Sequence, residues 1–142
     1  MGKISFFYEE IDFKLSQINK SKKWIKFIIE RENFELNYIN FIFCSDTYLH
    51  SINLKYLDHD TFTDIITFDY SEQNTLEGDI YISIDRVREN AKDFHIEFES
   101  ELRRVMAHGV LHMMGFGDKT QDEKTIMRQK EDSCISLYSQ VQ

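Results

Sequence analysis

The chain contains no proline, two cysteines and five glycines in 142 residues. No linker, repeat or low-complexity stretch interrupts it, so we expect residues 1–142 to form a single domain. Cys44 and Cys134 lie far apart and lack the CxxC spacing of zinc or redox motifs. This spacing predicts two reduced, structural thiols.

Positive charge and long apolar runs are also scarce. Seventeen lysines and arginines against 25 acidic residues give a formal charge of -8, so contact with nucleic acid needs a local patch. The lysines of KSKKWIK around Trp24 fit such a patch with a stacking ring, but they fit better the hydrated side of a helix that buries Trp24. No stretch has the length of a membrane span or a signal-peptide core, which predicts a soluble cytoplasmic protein.

Hydrophobic periodicity predicts an α+β fold built on one small four-stranded sheet, with about five helices. The predicted strands are 4–8, 36–44, 64–70 and 78–83, and the predicted helices are 21–32, 47–57, 85–94, 97–114 and 121–138. The loop SEQNTLEG is short enough for the last two strands to pair antiparallel.

The stretch HGVLHMMGFGD at 108–118 carries the clearest functional signal. His108 and His112 are one helical turn apart, so both imidazoles project from the same face of the helix. Gly115 can adopt the left-handed conformation that ends a helix, and the chain reversal then brings Asp118 toward the histidines. A histidine pair alone often occurs by chance, but the joint spacing HxxxHxxGxxD favours one bound Zn²⁺ with a fourth position open to water.

Gly109 occupies the position at which zinc proteases of the HExxH type carry a glutamate. That glutamate is the general base of peptide hydrolysis, so its absence disfavours proteolysis. Glycine inside a helix costs about 1 kcal/mol relative to alanine. We therefore expect close backbone packing or ligand approach at Gly109.

The same stretch resembles HGxLHLxGYDH, the hallmark of the YbeY endoribonuclease family of bacterial rRNA maturation factors. INLKYLDHDTFTDIITFDY at 52–70 is similar to the family's LNxxYR and TDVLSF segments, and EGDIYIS at 77–83 is similar to its LGDIxIS strand. The resemblance implies an α+β fold with a small mixed four-stranded sheet and a zincin-like metal-binding helix. It further implies one zinc ion and single-strand-directed hydrolysis of RNA. It also implies action in small-subunit rRNA 3′-end maturation and ribosome quality control, with the ribosome or ribosomal proteins as partners.

The sequence departs from the family pattern in two places. Asp118 stands where the family usually has its third histidine, and Gly117 stands at the family's usual aspartate. A carboxylate can replace imidazole at zinc, although its negative charge makes the ion a weaker Lewis acid. Leu57 stands where many members carry an arginine that is proposed to serve the phosphate.

Another cation must then offset the charge that develops on the phosphoryl oxygens. Lys119 is nearest in sequence, and Arg104 lies one helical turn before His108. Pairing with nearby glutamates on a solvated helix face is an equal alternative for Arg104. His59 is a further candidate for the site, although a lone loop histidine is more often solvent-exposed. Asp64 fits a turn better than the wall of a cleft.

These residues predict a zinc-dependent hydrolase acting on RNA, with His108, His112 and Asp118 as ligands and metal-bound water as the nucleophile. Two alternatives remain. A metalloprotease with an aspartate ligand shares the spacing but lacks the glutamate base. A non-enzymatic ribosome-associated factor with a structural ion fits Leu57 and the acidic charge.

Overall fold

A computed structural model describes residues 2–142 of the chain. Its elements, in order, are β1 (Lys3–Glu9), α1 (Ile18–Arg31), β2 (Glu35–Cys44), α2 (Asp46–Leu57), β3 (Ile65–Asp69), β4 (Thr75–Ser83), α3 (Ile84–Asp93), α4 (Phe98–Met113) and α5 (Gln121–Tyr138). The predicted α+β class, with four strands and five helices, is confirmed. Among residues 2–142, no helix combines the length and apolar composition needed to cross a membrane.

The four strands form one mixed sheet in the order β1-β2-β4-β3. β1 and β4 both pair with β2 in parallel, and β3 pairs with β4 antiparallel, as the short connecting loop predicts. β4 begins earlier than expected because Thr75 and Leu76, assigned to the loop by their polar surroundings, pair with β2. In the strand order of this sheet, β3 lies at one edge.

Alternate side chains of the strands pack on opposite faces of the sheet. The larger core contains Ile80 and Ile82 of β4 together with apolar residues of α1, α3, α4 and α5. The smaller core joins Ile66 of β3 to Leu49 and Ile52 of α2. α2 and α4 therefore cover opposite faces of the sheet.

Trp24 lies in the larger core and has no exposed surface. Its indole Nε1 donates a hydrogen bond of 2.7 Å to the carbonyl oxygen of Cys134 on α5. The indole is therefore not available as a stacking ring for RNA. Burial raises the pKa of the Cys44 thiol to about 12 and that of Cys134 to about 11, which keeps both thiols neutral and inert at physiological pH.

Candidate metal centre

α4 packs against the sheet through Gly109. A methyl group at this position would lie 3.0 Å from Cδ1 of Ile65 and 3.0 Å from Cδ1 of Ile80. The expected close packing is confirmed, with β3 and β4 as the neighbours. A longer side chain at Gly109 would therefore be directed into these two isoleucines.

The end of α4 is a turn that reverses the chain. Gly115 has φ 96°, in the left-handed region that glycine adopts without steric cost. Its N–H donates to the carbonyl of His112 at 3.0 Å, and the N–H of Phe116 donates to the carbonyl of Leu111 at 3.1 Å. These two bonds form a Schellman motif, as the glycine predicted.

The segment after this turn is held by the start of α5. Oε1 of Glu123 accepts hydrogen bonds of 3.0 Å from the backbone N–H groups of Lys119 and Thr120. The hydroxyl of Thr120 in turn accepts the N–H of Glu123 at 3.1 Å, which completes a capping box. The two backbone N–H groups lower the pKa of Glu123. Asp118 therefore lies between two defined turns.

His108, His112 and Asp118 converge as the spacing predicted. Oδ2 of Asp118 lies 3.3 Å from Nε2 of His108 and 3.3 Å from Nε2 of His112. In a tetrahedral site with bonds of about 2.0–2.1 Å, neighbouring ligand atoms are about 3.3–3.4 Å apart. The three side chains can hold one metal ion, and their nitrogen and oxygen donors suit a divalent cation.

A fourth side chain, Glu131 of α5, contacts the outer edge of His108. Oε2 of Glu131 lies 2.6 Å from Nδ1 of His108. Burial alone would lower the pKa of His108, but the hydrogen bond and charge of Glu131, together with the charge of Asp118, raise it overall. The sequence motifs do not single out Glu131. Its spacing from Met127 and Cys134 fits the inward stripe of a helix, but this spacing does not indicate which residue the acid contacts.

An open cleft of about 600 Å³ lies beside this group of residues. Its lining comes from α2, β3, the segment between them, α4 and the turn after α4: Asn53, Leu57, His59, Thr61, Thr63, Asp64, Ile65, Ile66, Thr67, Asp69, His108, His112, Met113 and Asp118. The cleft therefore gives a substrate access to the three candidate ligands.

The residues predicted to contact phosphate lie in different places. Nη1 and Nη2 of Arg104 bind Glu131 at 3.0 Å and Asp132 at 2.9 Å, so its guanidinium is committed to two carboxylates. Lys119 is exposed directly after Asp118. The loop residue His59 lines the cleft, and phosphate contact by any of these side chains stays a prediction.

Asp64 lies at the entrance to β3 and lines the cleft, so the preference for a simple turn was wrong. Nδ2 of Asn90 donates to its carboxylate at 3.3 Å. Burial raises the pKa of Asp64, although a hydrogen bond from its own backbone, His108 and Arg86 act in the opposite direction. A half-buried acid with a raised pKa, in a cleft that two histidines also line, is a typical feature of a functional site.

We expect Asp64→Asn to stabilise the metal-free protein at pH 7. The pKa of Asp64 is higher in the folded state than in the unfolded state, because burial disfavours its charged form. The favourable contribution of the neutral acid to stability is fully present below the unfolded pKa of about 3.9, and it is lost as pH rises through the folded pKa. At pH 7 the folded wild type therefore carries a charge that its surroundings disfavour, and asparagine removes this charge. The gain in free energy of unfolding should therefore shrink as pH falls toward 4. Urea denaturation across this range measures it, with Asp93→Asn on the surface of α3 as the control. A variant less stable than wild type at pH 7 would contradict this expectation.

Comparisons with known proteins agree with the fold and the motifs. The family model described as "Endoribonuclease YbeY" matches residues 4–139. A relative with that name from Christiangramia forsetii is 54% identical over 137 residues, covering 96% of this chain and 95% of the relative. The one from Flavobacterium psychrophilum is 52% identical over 135 residues, covering 95% of this chain and 96% of the relative.

A solved structure shows the same fold. The solution structure of a Thermotoga maritima protein matches with a TM-score of 0.67 and 24% sequence identity. The match covers 94% of this chain and 88% of the other chain. The arrangement of sheet and helices is therefore shared by a protein of distant sequence.

Proposed function

The chain belongs to the endoribonuclease YbeY family, and on this premise we propose that it is a zinc-dependent endoribonuclease that hydrolyses RNA phosphodiesters in the cleft beside α4. The convergence of ligand atoms from His108, His112 and Asp118 on one point of this cleft carries the proposal. The distances of 3.3 Å from Oδ2 of Asp118 to Nε2 of each histidine match the donor spacing of a zinc site.

The charge of the cleft supports a metal-dependent reaction. Among the described residues that line it, Asp64, Asp69 and Asp118 are acids and none is a lysine or arginine. A phosphodiester brings a further negative charge, and hydrolysis adds charge to its oxygens in the transition state. A bound cation is therefore the natural source of the positive charge that the lining lacks.

A zinc ion held by these residues would lower the pKa of a coordinated water and polarise a phosphoryl oxygen, and the proposed hydrolysis assigns no role to a glutamate at position 109. The protein's part is to present the ligands. α4 presents the two imidazoles from one face, and the Schellman turn with the capping box holds Asp118 opposite them. Asp118 also partly offsets the charge of the ion.

Lys119 is the side chain that we propose for phosphate contact, because it is exposed and adjacent to Asp118. Lys119→Ala is expected to weaken RNA binding and to reduce the salt dependence of that binding by about one phosphate contact. Titration of labelled RNA at several salt concentrations measures both effects. Lys124→Ala, an exposed lysine on α5, is the control, and equal losses in the two variants would count against this role.

The proposed substrate is single-stranded RNA, and the proposed cellular role is maturation of the 3′ end of small-subunit rRNA with ribosome quality control in the cytoplasm. The family membership supports this role, and the ribosome or its proteins would be the partners. In a quality-control role, the cleft would act on RNA segments that are unpaired in defective particles.

The test of the proposal is cleavage of a single-stranded RNA by purified protein, with a duplex of the same sequence as the control. We expect cleavage of the single strand to stop with a chelator and to return with zinc. Chelator-sensitive casein cleavage without RNA cleavage would instead support a metalloprotease. Ribosome binding that survives His112→Ala, with no nuclease activity in any metal, would support the non-enzymatic factor.

A further inference from the structure

We propose that Glu131 is a positioning residue for the metal site: it fixes the tautomer and the ring orientation of His108 and thereby raises the affinity for the ion. This inference rests on the proposed metal site, and it assigns a role to a residue of α5, outside the HGVLHMMGFGD stretch. Glu131 is 23 residues away from His108 along the chain.

The contact between the two side chains defines the tautomer. Nδ1 of His108 and Oε2 of Glu131 are 2.6 Å apart, a short distance typical of a hydrogen bond to a carboxylate. An ionised carboxylate can only accept a hydrogen bond, so in the neutral ring Nδ1 carries the proton. Nε2 then has its lone pair free on the side that faces Asp118, which is the form that a metal ion requires.

Arg104 orients the carboxylate of Glu131. Its Nη1 binds Oε1 of Glu131 at 3.0 Å, while its Nη2 binds Asp132 at 2.9 Å. Both oxygens of Glu131 are therefore engaged, one by the guanidinium and one by His108. Arg104 lies one helical turn before His108 on α4, so it contacts Glu131 from the side of α4 that also carries the candidate ligand.

The burial of Glu131 indicates that this acid has a functional role rather than a purely structural one. The residue is 6% exposed and lies in the buried stripe of α5 with Met127, Cys134 and Tyr138. An apolar residue at such a position generally stabilises a helix interface at least as well as a buried ion pair. Ligand histidines commonly donate their second ring nitrogen to a carboxylate, and loss of that partner typically lowers metal affinity by about 10–100-fold.

The adjacent residue provides a matched control. Glu131→Gln and Asp132→Asn each convert a carboxylate partner of Arg104 into an amide on α5, but only Glu131 contacts His108. Competition with a chromophoric chelator measures zinc affinity in both variants. We expect a loss of about 10–100-fold for Glu131→Gln and of less than about fivefold for the exposed pair of Asp132. Glu131→Asp, which keeps the charge, is expected to recover part of the loss.

Nitrogen NMR of the metal-free wild type tests the same inference without any substitution. At a pH where the ring is neutral, His108 is expected to carry its proton on Nδ1. A proton on Nε2 would overturn the inference, as would equal zinc affinities for the two variants. Neither measurement uses RNA, so a protein that binds zinc without cleaving RNA would refute the proposed function alone.

Discussion

Asp118→Ala is expected to abolish stoichiometric zinc binding and, with it, RNA cleavage. The substitution removes the only oxygen from the three-donor group and leaves two imidazoles on one helix face. The loss of zinc affinity should exceed the roughly 100-fold that is the upper end for residues behind the ligands. Chelator competition measures the affinity, and cleavage of single-stranded RNA gives the activity.

The control for this substitution is Asp122→Ala. Asp122 is an exposed acid in the first turn of α5, four residues beyond Asp118. Its removal changes the net charge equally but leaves the ligand group intact, so zinc affinity should be retained. A wild-type affinity in Asp118→Ala would show that this carboxylate is not a ligand.

Gly109→Glu is expected to unfold the protein rather than to create a protease. The substitution restores the HExxH pattern in sequence, but the new side chain would start 3.0 Å from the ends of Ile65 and Ile80. A buried carboxylate without a partner typically costs about 3–5 kcal/mol, a large part of the stability of a small domain. Urea denaturation followed by circular dichroism measures the change.

Gly109→Ala separates the effect of size from that of charge. The helix gains about 1 kcal/mol from alanine, while crowding against the two isoleucines costs about 1–3 kcal/mol. The net change should therefore be far smaller than for Gly109→Glu. A folded Gly109→Glu protein that cleaves casein would contradict both the packing argument and the rejection of the protease mechanism.

The elements of the fold were largely predictable from sequence because their signals are local. α5 spans Gln121–Tyr138, the range that its periodicity predicts, and a capping box at Thr120 starts it. The side chain of Ser45 caps α2, which starts at Asp46, one residue before the predicted range. The start of β4 was missed because Thr75 and Leu76 are strand residues only through pairing with β2. That pairing joins residues about 40 positions apart, which no local pattern indicates.

The residues of the candidate site also divide into those with local sequence signals and those that only tertiary packing defines. His108, His112 and Asp118 lie within 11 residues of sequence, so helix period and turn chemistry were sufficient to bring them together. Glu131 could not be assigned without knowing how α5 packs on α4. The role of Arg104 also depends on how α5 packs on α4, because its guanidinium binds two carboxylates of α5 instead of facing the cleft.

The most direct test of the account is the rate of single-stranded RNA cleavage by metal-free protein as zinc is added in known equivalents. We predict no cleavage without zinc, a linear rise in rate as zinc is added, and a break at one equivalent per chain. Cleavage that is independent of zinc would contradict the proposed metal centre, and binding of one equivalent without cleavage at any concentration would contradict the proposed activity.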